Sequence, residues 1–446
     1  MRHRLVHLAL VGLCALVPVT LWAGSAAAKP SDGEPRVPVI FVHGNFGSAQ
    51  QFETNAMRLT SNGYSHERIF AYEYDTTGPR NEIAIANLDT FIADVQSQTG
   101  AAQVDVLAHS RGTTVMHEYL GNPDRAATVR RYVNFDGRTS AAPPGGVPAL
   151  AIWGEGDQTR EIGGAQNEYF PNKAHTEVTT SRAAFVKVFE FLTGKKPETK
   201  NVTPEKPSKV TVAGRATLFP ANSGNEGALL EVFELRGATG ARKPGGPVYS
   251  LDLGPDGAFG PLRVDGRRHY EFAVSKLGQS TLHNYPEPFE HDNYFYRVLD
   301  APALRPFVET GPNHTGIAVL RMREWWGDQS DPLFNDSLLF NGFNVITPQT
   351  APRDRRVLAI FTFDNNSDGQ SDTGASLFPF NSVSFLTGID VYMPASPDAS
   401  GTIAVAETMR GNRRHQETIN VPNWPSDEHV VSVYFKDYAA KTYRGR

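Results

Sequence analysis

Residues 106–113 read VLAHSRGT, so that a serine stands between a short apolar run and a segment with helical character. The residues around Ser110 follow the pattern AxSxG, a variant of the GxSxG sequence that turns a strand sharply into a helix. Ala108 and Gly112 are small, which lets neighbouring chain pass close to such a turn. The stretch therefore predicts a nucleophile elbow, which projects the hydroxyl of Ser110 out of the backbone.

Short apolar runs alternate with helix-like segments from residue 37 to about residue 194. This alternation is typical of a mostly parallel sheet with flanking helices, and together with the elbow it predicts an α/β-hydrolase fold. Helical spacing of apolar residues occurs in 83–95 and 185–192, with Ser181 as the candidate N-cap and Gly194 as the end of the second helix. The predicted strands are 37–42, 68–74, 103–107, 130–135 and 148–153.

Residues 195–208 read KKPETKNVTPEKPS, a charged stretch whose prolines keep it extended, and it is predicted to be a linker. Strand-like runs separated by Gly, Pro, Asn and Asp clusters follow it, which indicates an all-β region of two β-sandwich-like sub-domains. The predicted division is a signal peptide (1–28), a catalytic domain (29–194), the linker, and β sub-domains at 209–290 and 291–446.

The first 28 residues have the pattern of a secretory signal peptide. Arg2 and Arg4 precede an apolar run, and small residues end at Ala28. We therefore expect an extracellular or periplasmic protein after cleavage near Ala28. Cys14 is the only cysteine and lies in this segment, so the mature chain would have no disulfide and no thiol chemistry. A formal net charge of −5 makes nucleic acid an unsuitable partner.

A serine hydroxyl becomes a good nucleophile only when a base takes its proton and an acid orients that base. In α/β-hydrolases the three follow in the order Ser, acid, His. His175 lies in the loop before the last predicted helix and is the expected base, whereas His117 is expected on the surface of the helix after the elbow. Asp136 and Asp157 both end predicted strands and both could be the acid, and general topology favours Asp157.

The turn after the first predicted strand is suited to hold an oxyanion. Residues 42–47 read VHGNFG, an apolar strand that runs into an HGxxG turn whose glycines let amides face a negative oxygen. Acyl transfer needs two such backbone donors, one of them from the residue after the nucleophile. The predicted donors are the N–H groups of Asn45 and Arg111.

These segments together resemble a family of secreted lipases typified by an archaeal long-chain lipase, and the likeness covers most of the mature chain. It is carried by PVIFVHGNFGSAQQFETNAMRLTSNGY, VDVLAHSRGT, VNFDG, NEYFPNKAHTEVTTSRAAFVKVFEFLTGKKP and FNSVSFLTGIDVYMP. The resemblance implies Ser110 as nucleophile, His175 as base, and an oxyanion hole at Asn45 and Arg111. It also implies Asp136 as the acid, so Asp136 ranks slightly ahead and Asp157 stays open.

One departure from that family concerns the segment between residues 74 and 103. It has the length of a single helix, where the archaeal lipase inserts a long helical cap over its site. We therefore expect a more open cleft, with less interfacial activation. Arg111 stands where an apolar residue is common, and this would place a charge near the mouth of the cleft.

Residues 364–372, DNNSDGQSD, space oxygen ligands as the first half of a calcium loop does. Asp364, Asn366 and Asp368 are weak calcium candidates, because position twelve is Ala375 rather than a glutamate. A polar turn is the favoured interpretation. Aromatic residues of the β region could form a lipid- or polymer-contact surface, although core packing is their usual role. These aromatics are Trp325, Trp326, Phe378, Phe380 and Phe385.

The sequence thus predicts a secreted serine ester hydrolase, a lipase or carboxylesterase that acts through an acyl-enzyme and without a cofactor. Its expected substrates are lipids or other apolar esters, and its β region could contact a lipid surface. One alternative is a polyester or wax-ester hydrolase, whose chain-like substrate suits an open cleft. A second is a non-catalytic, surface-binding β protein with a vestigial hydrolase domain.

Overall fold

The computed structural model describes residues 36–412 and 415–439. The predicted signal peptide, with Cys14, lies outside these residues. The first half of the described chain contains a six-stranded parallel sheet in the order β2-β1-β3-β4-β5-β6. Its strands are β1 (Val39–Val42), β2 (Ile69–Tyr72), β3 (Val104–His109), β4 (Val129–Phe135), β5 (Ala149–Trp153) and β6 (Gln166–Tyr169). The helices are α1 (Glu53–Thr60), α2 (Glu82–Thr99), α3 (Arg111–Leu120), α4 (Pro123–Ala126), α5 (Glu177–Thr180) and α6 (Arg182–Thr193).

This part of the chain has the predicted α/β-hydrolase architecture. The first five strands lie within two residues of their predicted bounds, because continuous apolar runs form strands that are buried on both faces of a sheet. Apolar clusters cover both faces of the sheet. The second predicted helix is α6, where Ser181 accepts the N–H of Ala184 and Gly194 ends the helix at a φ of 71°.

In the rest of the described chain the regular structure consists of strands and a few short 3-10 helices. Its strands are β7 (Val210–Leu218), β8 (Ser223–Gly224), β9 (Leu229–Leu235), β10 (Tyr249–Asp252), β11 (Ala258–Val264), β12 (His269–Ser275), β13 (Thr281–Pro286), β14 (Asn293–Asp300), β15 (Ile317–Arg321), β16 (Ser337–Phe340), β17 (Phe343–Asn344), β18 (Ala359–Phe363), β19 (Leu386–Asp390), β20 (Thr402–Thr408), β21 (Gln416–Pro422) and β22 (His429–Phe435). An eight-stranded sheet runs in the order β10-β9-β12-β13-β22-β15-β18-β19. Two smaller sheets pack with it, β11-β7-β14 with β8 beside β7, and β17-β16-β20-β21.

Strand β22 holds the middle of the eight-stranded sheet. It pairs in parallel with β13 on one side and with β15 on the other. Strands from both predicted β sub-domains therefore share this sheet, and β14, which follows the expected boundary at residue 290, pairs with β7. Backbone hydrogen bonds thus cross the expected division.

The predicted linker is tied to the rest of the fold. Val202 is buried in a small apolar cluster with Met57 and Tyr438. The side chain of Asn62 accepts the N–H of Thr199 at 3.0 Å and donates to its carbonyl at 2.8 Å. Among the described residues, no helix is both long and apolar enough to cross a lipid bilayer.

Candidate active site

Ser110 lies at the turn between β3 and α3. Its backbone adopts φ 51° and ψ −121°, a conformation that a non-glycine residue holds only when the surrounding structure enforces it. A Cβ atom on Gly112 would lie 2.5 Å from the carbonyl oxygens of both Val42 and His43, so a glycine is required there. The N–H of Ser110 donates to the carbonyl of Phe135 at 3.1 Å. This is the strand–turn–helix geometry of a nucleophile elbow.

His175 and Asp136 are directly paired. Nδ1 of His175 lies 2.7 Å from Oδ2 of Asp136, and both side chains are buried. The other oxygen, Oδ1, accepts the N–H of Gly154 at 2.8 Å and lies 3.0 Å from Nη1 of Arg160. Burial raises the pKa of Asp136, but His175, Gly154 and Arg160 outweigh that effect and hold the pKa below its usual value. Asp136 is therefore a carboxylate that orients the imidazole.

The other two candidates lie apart from this pair. Asp157 is exposed in the loop after β5, where its Oδ1 accepts the N–H and the hydroxyl of Thr159 at 2.8 and 2.7 Å. That is an ordinary turn contact for an aspartate. His117 is half-buried in α3 with its ring edge-on to Tyr132, and burial lowers its pKa to about 4.

The HGxxG turn follows β1 and faces the elbow. Within the described part of the chain, neither the N–H of Asn45 nor that of Arg111 donates to a protein acceptor. Arg111 is the first residue of α3, where the N–H has no intrahelical acceptor. Both amides are therefore available to an oxyanion. His43 is turned away from Ser110, with its Nε2 3.3 Å from Oε2 of Glu73, and supports the turn from behind.

The guanidinium group of Arg111 is used within the protein. It donates to the carbonyls of Thr76 and Gly78, at 2.6 Å each, and to the side chain of Asn81 at 3.1 Å. The expected charge at the mouth of the cleft is thus directed into the loop before α2. Because three acceptors bind one planar fork, the loop is fixed to the start of α3.

Gln51 and His109 form a polar connection that the sequence did not indicate. Oε1 of Gln51 accepts the N–H of Gly44 at 3.2 Å, and its Nε2 donates to Nδ1 of His109. Nε2 of His109 then donates to the carbonyl of His175 at 2.9 Å. Burial, together with the nearby His175, holds the pKa of His109 well below its usual value, so the ring is neutral and can accept at one nitrogen while it donates at the other. The chain of bonds joins the turn after β1 to the loop that carries His175.

Ser110 and His175 open into a cavity of about 460 Å³. The β region supplies most of its wall, and the apolar side chains there include Leu282, Leu299, Val308, Leu320, Met322 and Leu386. The ring of Phe385 lies nearly parallel to that of His175, with 6.1 Å between their centroids. The β region therefore covers part of the cleft, whereas the segment between residues 74 and 103 contributes a single long helix, α2.

The candidate calcium ligands of the β region lie in a polar turn, and most of its candidate aromatic residues are buried. Asp364 accepts the N–H of Gly369, and Asp368 accepts that of Gln370, as in a polar turn. In residues 36–412 and 415–439, no group of three His, Cys, Asp or Glu side chains is placed to hold a metal ion. Of the aromatics, Trp325, Trp326 and Phe380 are buried, Phe385 lines the cavity and Phe378 is 77% exposed.

A parallel sheet with helices on both faces and a strained serine at the end of a central strand is the fold of the α/β-hydrolases. The model of the lipase (class 2) family matches residues 36–123. The model of the lipase C-terminal domain matches residues 208–302, and a third model, of a C-terminal domain, matches residues 303–439. The chain therefore contains a segment that matches the class 2 lipase family, followed by one that matches the lipase C-terminal domain.

Solved structures with a detectable likeness are distant. A lipase from Bacillus licheniformis, BlEst2 in propeptide form, is 12% identical with a TM-score of 0.29, over 88% of this chain and 95% of that one. Lipase B from Aspergillus fumigatus is 16% identical with a TM-score of 0.30, over 37% and 54%. The carboxylesterase CesB from Bacillus subtilis is 14% identical with a TM-score of 0.27, over 36% and 86%.

Proposed function

We propose that the protein is a serine ester hydrolase that works through an acyl-enzyme. The observation that carries this proposal is the 2.7 Å contact between His175 and Asp136, beside a strained Ser110 that shares a cavity with the same histidine. A carboxylate on Nδ1 fixes the tautomer that leaves Nε2 free to take a proton from a serine hydroxyl.

In the proposed mechanism the oxygen of Ser110 attacks the ester carbonyl while His175 takes the hydroxyl proton. The carbonyl oxygen becomes negative and is bound by the amides of Asn45 and Arg111. His175 then gives its proton to the leaving alcohol, and the acyl group remains on Ser110. A water molecule, activated by the same histidine, attacks the acyl-enzyme and releases the acid.

The cavity supports an apolar ester, such as a lipid, as the substrate. A volume of about 460 Å³ falls in the usual range of small-molecule sites, and most of the side chains away from Ser110 are hydrocarbon. These walls lower the free energy of an acyl or alkyl chain but offer few groups to a charged one. The same apolar wall also suits a wax ester or polyester chain, which is the second candidate.

We further propose that the protein is secreted and that its β region contacts a lipid surface. Secretion rests on the basic and apolar pattern of residues 1–28. Surface contact rests on Phe307, which is 47% exposed in a turn whose other residues, Arg305 and Pro306, line the cavity. Phe378 adds a second exposed ring beside an apolar cluster that includes Val308. A vestigial domain is disfavoured, because the geometry of the elbow, the His–Asp pair and the oxyanion turn is retained together.

A series of p-nitrophenyl esters of increasing chain length tests the proposal. Ser110→Ala should lower kcat by at least about 10³-fold without unfolding the protein, because the partly exposed side chain leaves no core cavity. His117→Ala, in the next helix but outside the site, is the matched control and should stay near wild type. A fluorophosphonate should label the wild type at Ser110 and spare Ser110→Ala. Full hydrolysis by a folded Ser110→Ala would overturn the mechanism.

A further inference from the structure

A buried glutamate of the β region reaches the turn that carries His175. One carboxylate oxygen of Glu324 accepts the N–H of Thr176, and the other accepts the N–H of Glu177 at 3.0 Å. Thr176 and Glu177 directly follow His175, and all four residues are buried. Because two oxygens of one carboxylate bind two successive N–H groups, the turn is fixed in both position and orientation.

The side chain of Glu177 is held from the same direction. Its carboxylate lies 3.1 Å from Nε of Arg323 and 2.5 Å from Nη2 of Arg410. Arg410 also donates to the backbone carbonyl of Glu324. Residues of the β region therefore bind the turn after His175 at two backbone N–H groups and at the side chain of Glu177.

These contacts belong to a larger ion network in the interior of the β region. Arg410 and Arg321 bind the carboxylate of Asp336 at 2.8 and 3.1 Å, and Arg321 binds Glu407 at 3.0 Å. Buried ions need good geometry to offset their desolvation, and loss of one partner leaves an uncompensated charge. Arg410 and Arg321 both donate to the backbone carbonyl of Glu324, and both stay paired with Asp336 when Glu407 is neutral, so these two arginines fix the backbone of Glu324.

We infer that Glu324 is a positioning residue for His175, holding the turn so that Nδ1 meets Asp136 and Nε2 is left for the hydroxyl of Ser110. The inference rests on the proposed function, in which His175 is the base. Catalytic groups must be held within about 0.5 Å of their productive geometry, so release of this turn lowers the rate even when the substrate still binds. The catalytic unit then includes a residue far along the chain in the β region.

The test compares Glu324→Gln with Glu407→Gln in the full chain. Both replace a buried glutamate of the β region with its amide, but the carboxylate of Glu407 contacts Arg321 rather than the turn after His175. The glutamine at 324 keeps one acceptor and turns an N–H group toward the second backbone donor. We expect kcat to fall at least about tenfold in Glu324→Gln with KM changed by less than about twofold, and kcat in Glu407→Gln to stay within about twofold.

A spectroscopic measurement separates positioning from simple destabilisation. The proton between Nδ1 of His175 and Asp136 should give a downfield resonance in the wild type and in Glu407→Gln, and the resonance should be lost or shifted in Glu324→Gln. If Glu324→Gln fails to fold, Glu324→Asp keeps the charge but withdraws the oxygens by one methylene, and Glu407→Asp is its control. Equal kcat and an unchanged resonance in the 324 and 407 variants would overturn the inference.

The outcome can be distinguished from failure of the proposed function. The resonance can be followed in a Ser110→Ala background, where no turnover is needed. Activity that survives Ser110→Ala would remove the proposed mechanism and leave the structural effect of Glu324 on the His175–Asp136 bond measurable. If Ser110→Ala abolishes activity but Glu324→Gln changes neither kcat nor the resonance, the proposed mechanism stands and the positioning role of Glu324 is wrong.

Discussion

At the scale of single residues, the two carboxylate oxygens of Asp136 have different partners. One oxygen orients His175, and the other is held by a backbone N–H and by the guanidinium group of Arg160. A carboxylate so fully bonded stays ionised and cannot rotate away from the imidazole. Both the contact with His175 and the contact with Arg160 can be tested by substitution.

Asp136→Asn should be far more damaging than Asp157→Asn. An amide at 136 presents the wrong partner to His175 and favours the wrong tautomer, so we expect kcat/KM on a short ester to fall by about 10³ to 10⁴-fold. In the described part of the chain, the hydrogen bonds to the side chain of Asp157 come from Thr159 alone, so its amide variant should remain within about threefold of wild type. Steady-state kinetics on both variants checks this, and the reverse order would give the role of acid to Asp157.

Arg160→Gln should move the acid limb of the pH profile of kcat/KM to higher pH. Nη1 of Arg160 lies 3.0 Å from Oδ1 of Asp136, and its positive charge is one of the causes that hold the pKa of Asp136 below its usual value. Without this charge the pKa of Asp136 rises, so the carboxylate that orients His175 becomes protonated at a higher pH. Arg160→Lys keeps the charge and should retain most of the wild-type profile. An unmoved acid limb in Arg160→Gln would contradict this electrostatic role.

At the scale of elements, the elbow depends on a close approach of three chain segments. Strand β3, helix α3 and the end of β1 meet at Gly112, where a side chain would strike two carbonyl oxygens. The strain at Ser110 is held by this packing and by the bond from its N–H to β4.

Gly112→Ala should therefore destabilise the protein by about 1–3 kcal/mol and displace Ser110. Gly78→Ala is the matched control, because a Cβ there meets no atom within 4 Å. Chemical denaturation gives the free energy of unfolding, and turnover of a short ester reports on the elbow. If Gly112→Ala is as stable and as active as Gly78→Ala, the backbone around Gly112 can move to accommodate a methyl group without a loss of stability.

The sequence predicted those elements whose signals are local. Strands β1 to β5 are apolar runs and the elbow is a short motif, so both could be recognised. Strand β6 was not predicted, because it reads QNEY and lies partly exposed at the edge of the sheet, so it has no apolar run. The acid could not be chosen from topology, because Asp136 and Asp157 both follow strands and only the fold shows which one reaches His175. Gln51 and Glu324 were missed because their partners lie far away in sequence.

At the scale of the whole molecule, the β region forms one wall of the cavity and is hydrogen-bonded to the HGxxG turn and to the turn after His175. Nε of Arg297 lies 2.8 Å from Glu73, behind the oxyanion turn, and Asn222 donates to the carbonyl of Gly47 within that turn at 2.8 Å. Buried partners of this kind do not exchange readily with water. The wall of the cavity is thus a fixed part of the structure.

The rate on a short soluble ester should consequently rise smoothly with concentration and show no jump at the solubility limit. A jump requires a closed state that the lipid surface opens, and a bonded wall offers no such population. The assay is run across the solubility limit, with Ser110→Ala as the blank for non-enzymatic hydrolysis. Sharp activation at that limit would mean that part of the β region moves.

The central place of β22 also determines when a newly made chain can mature. Strands β13 and β15 lack their shared neighbour until residues 429–435 have been synthesised, so the eight-stranded sheet cannot close before then. Until then two strand edges carry unpaired backbone groups, which favour aggregation and attack by proteases. A polypeptide that ended before residue 429 would contain Ser110 but would lack the strand that joins β13 to β15 and lines part of the cavity.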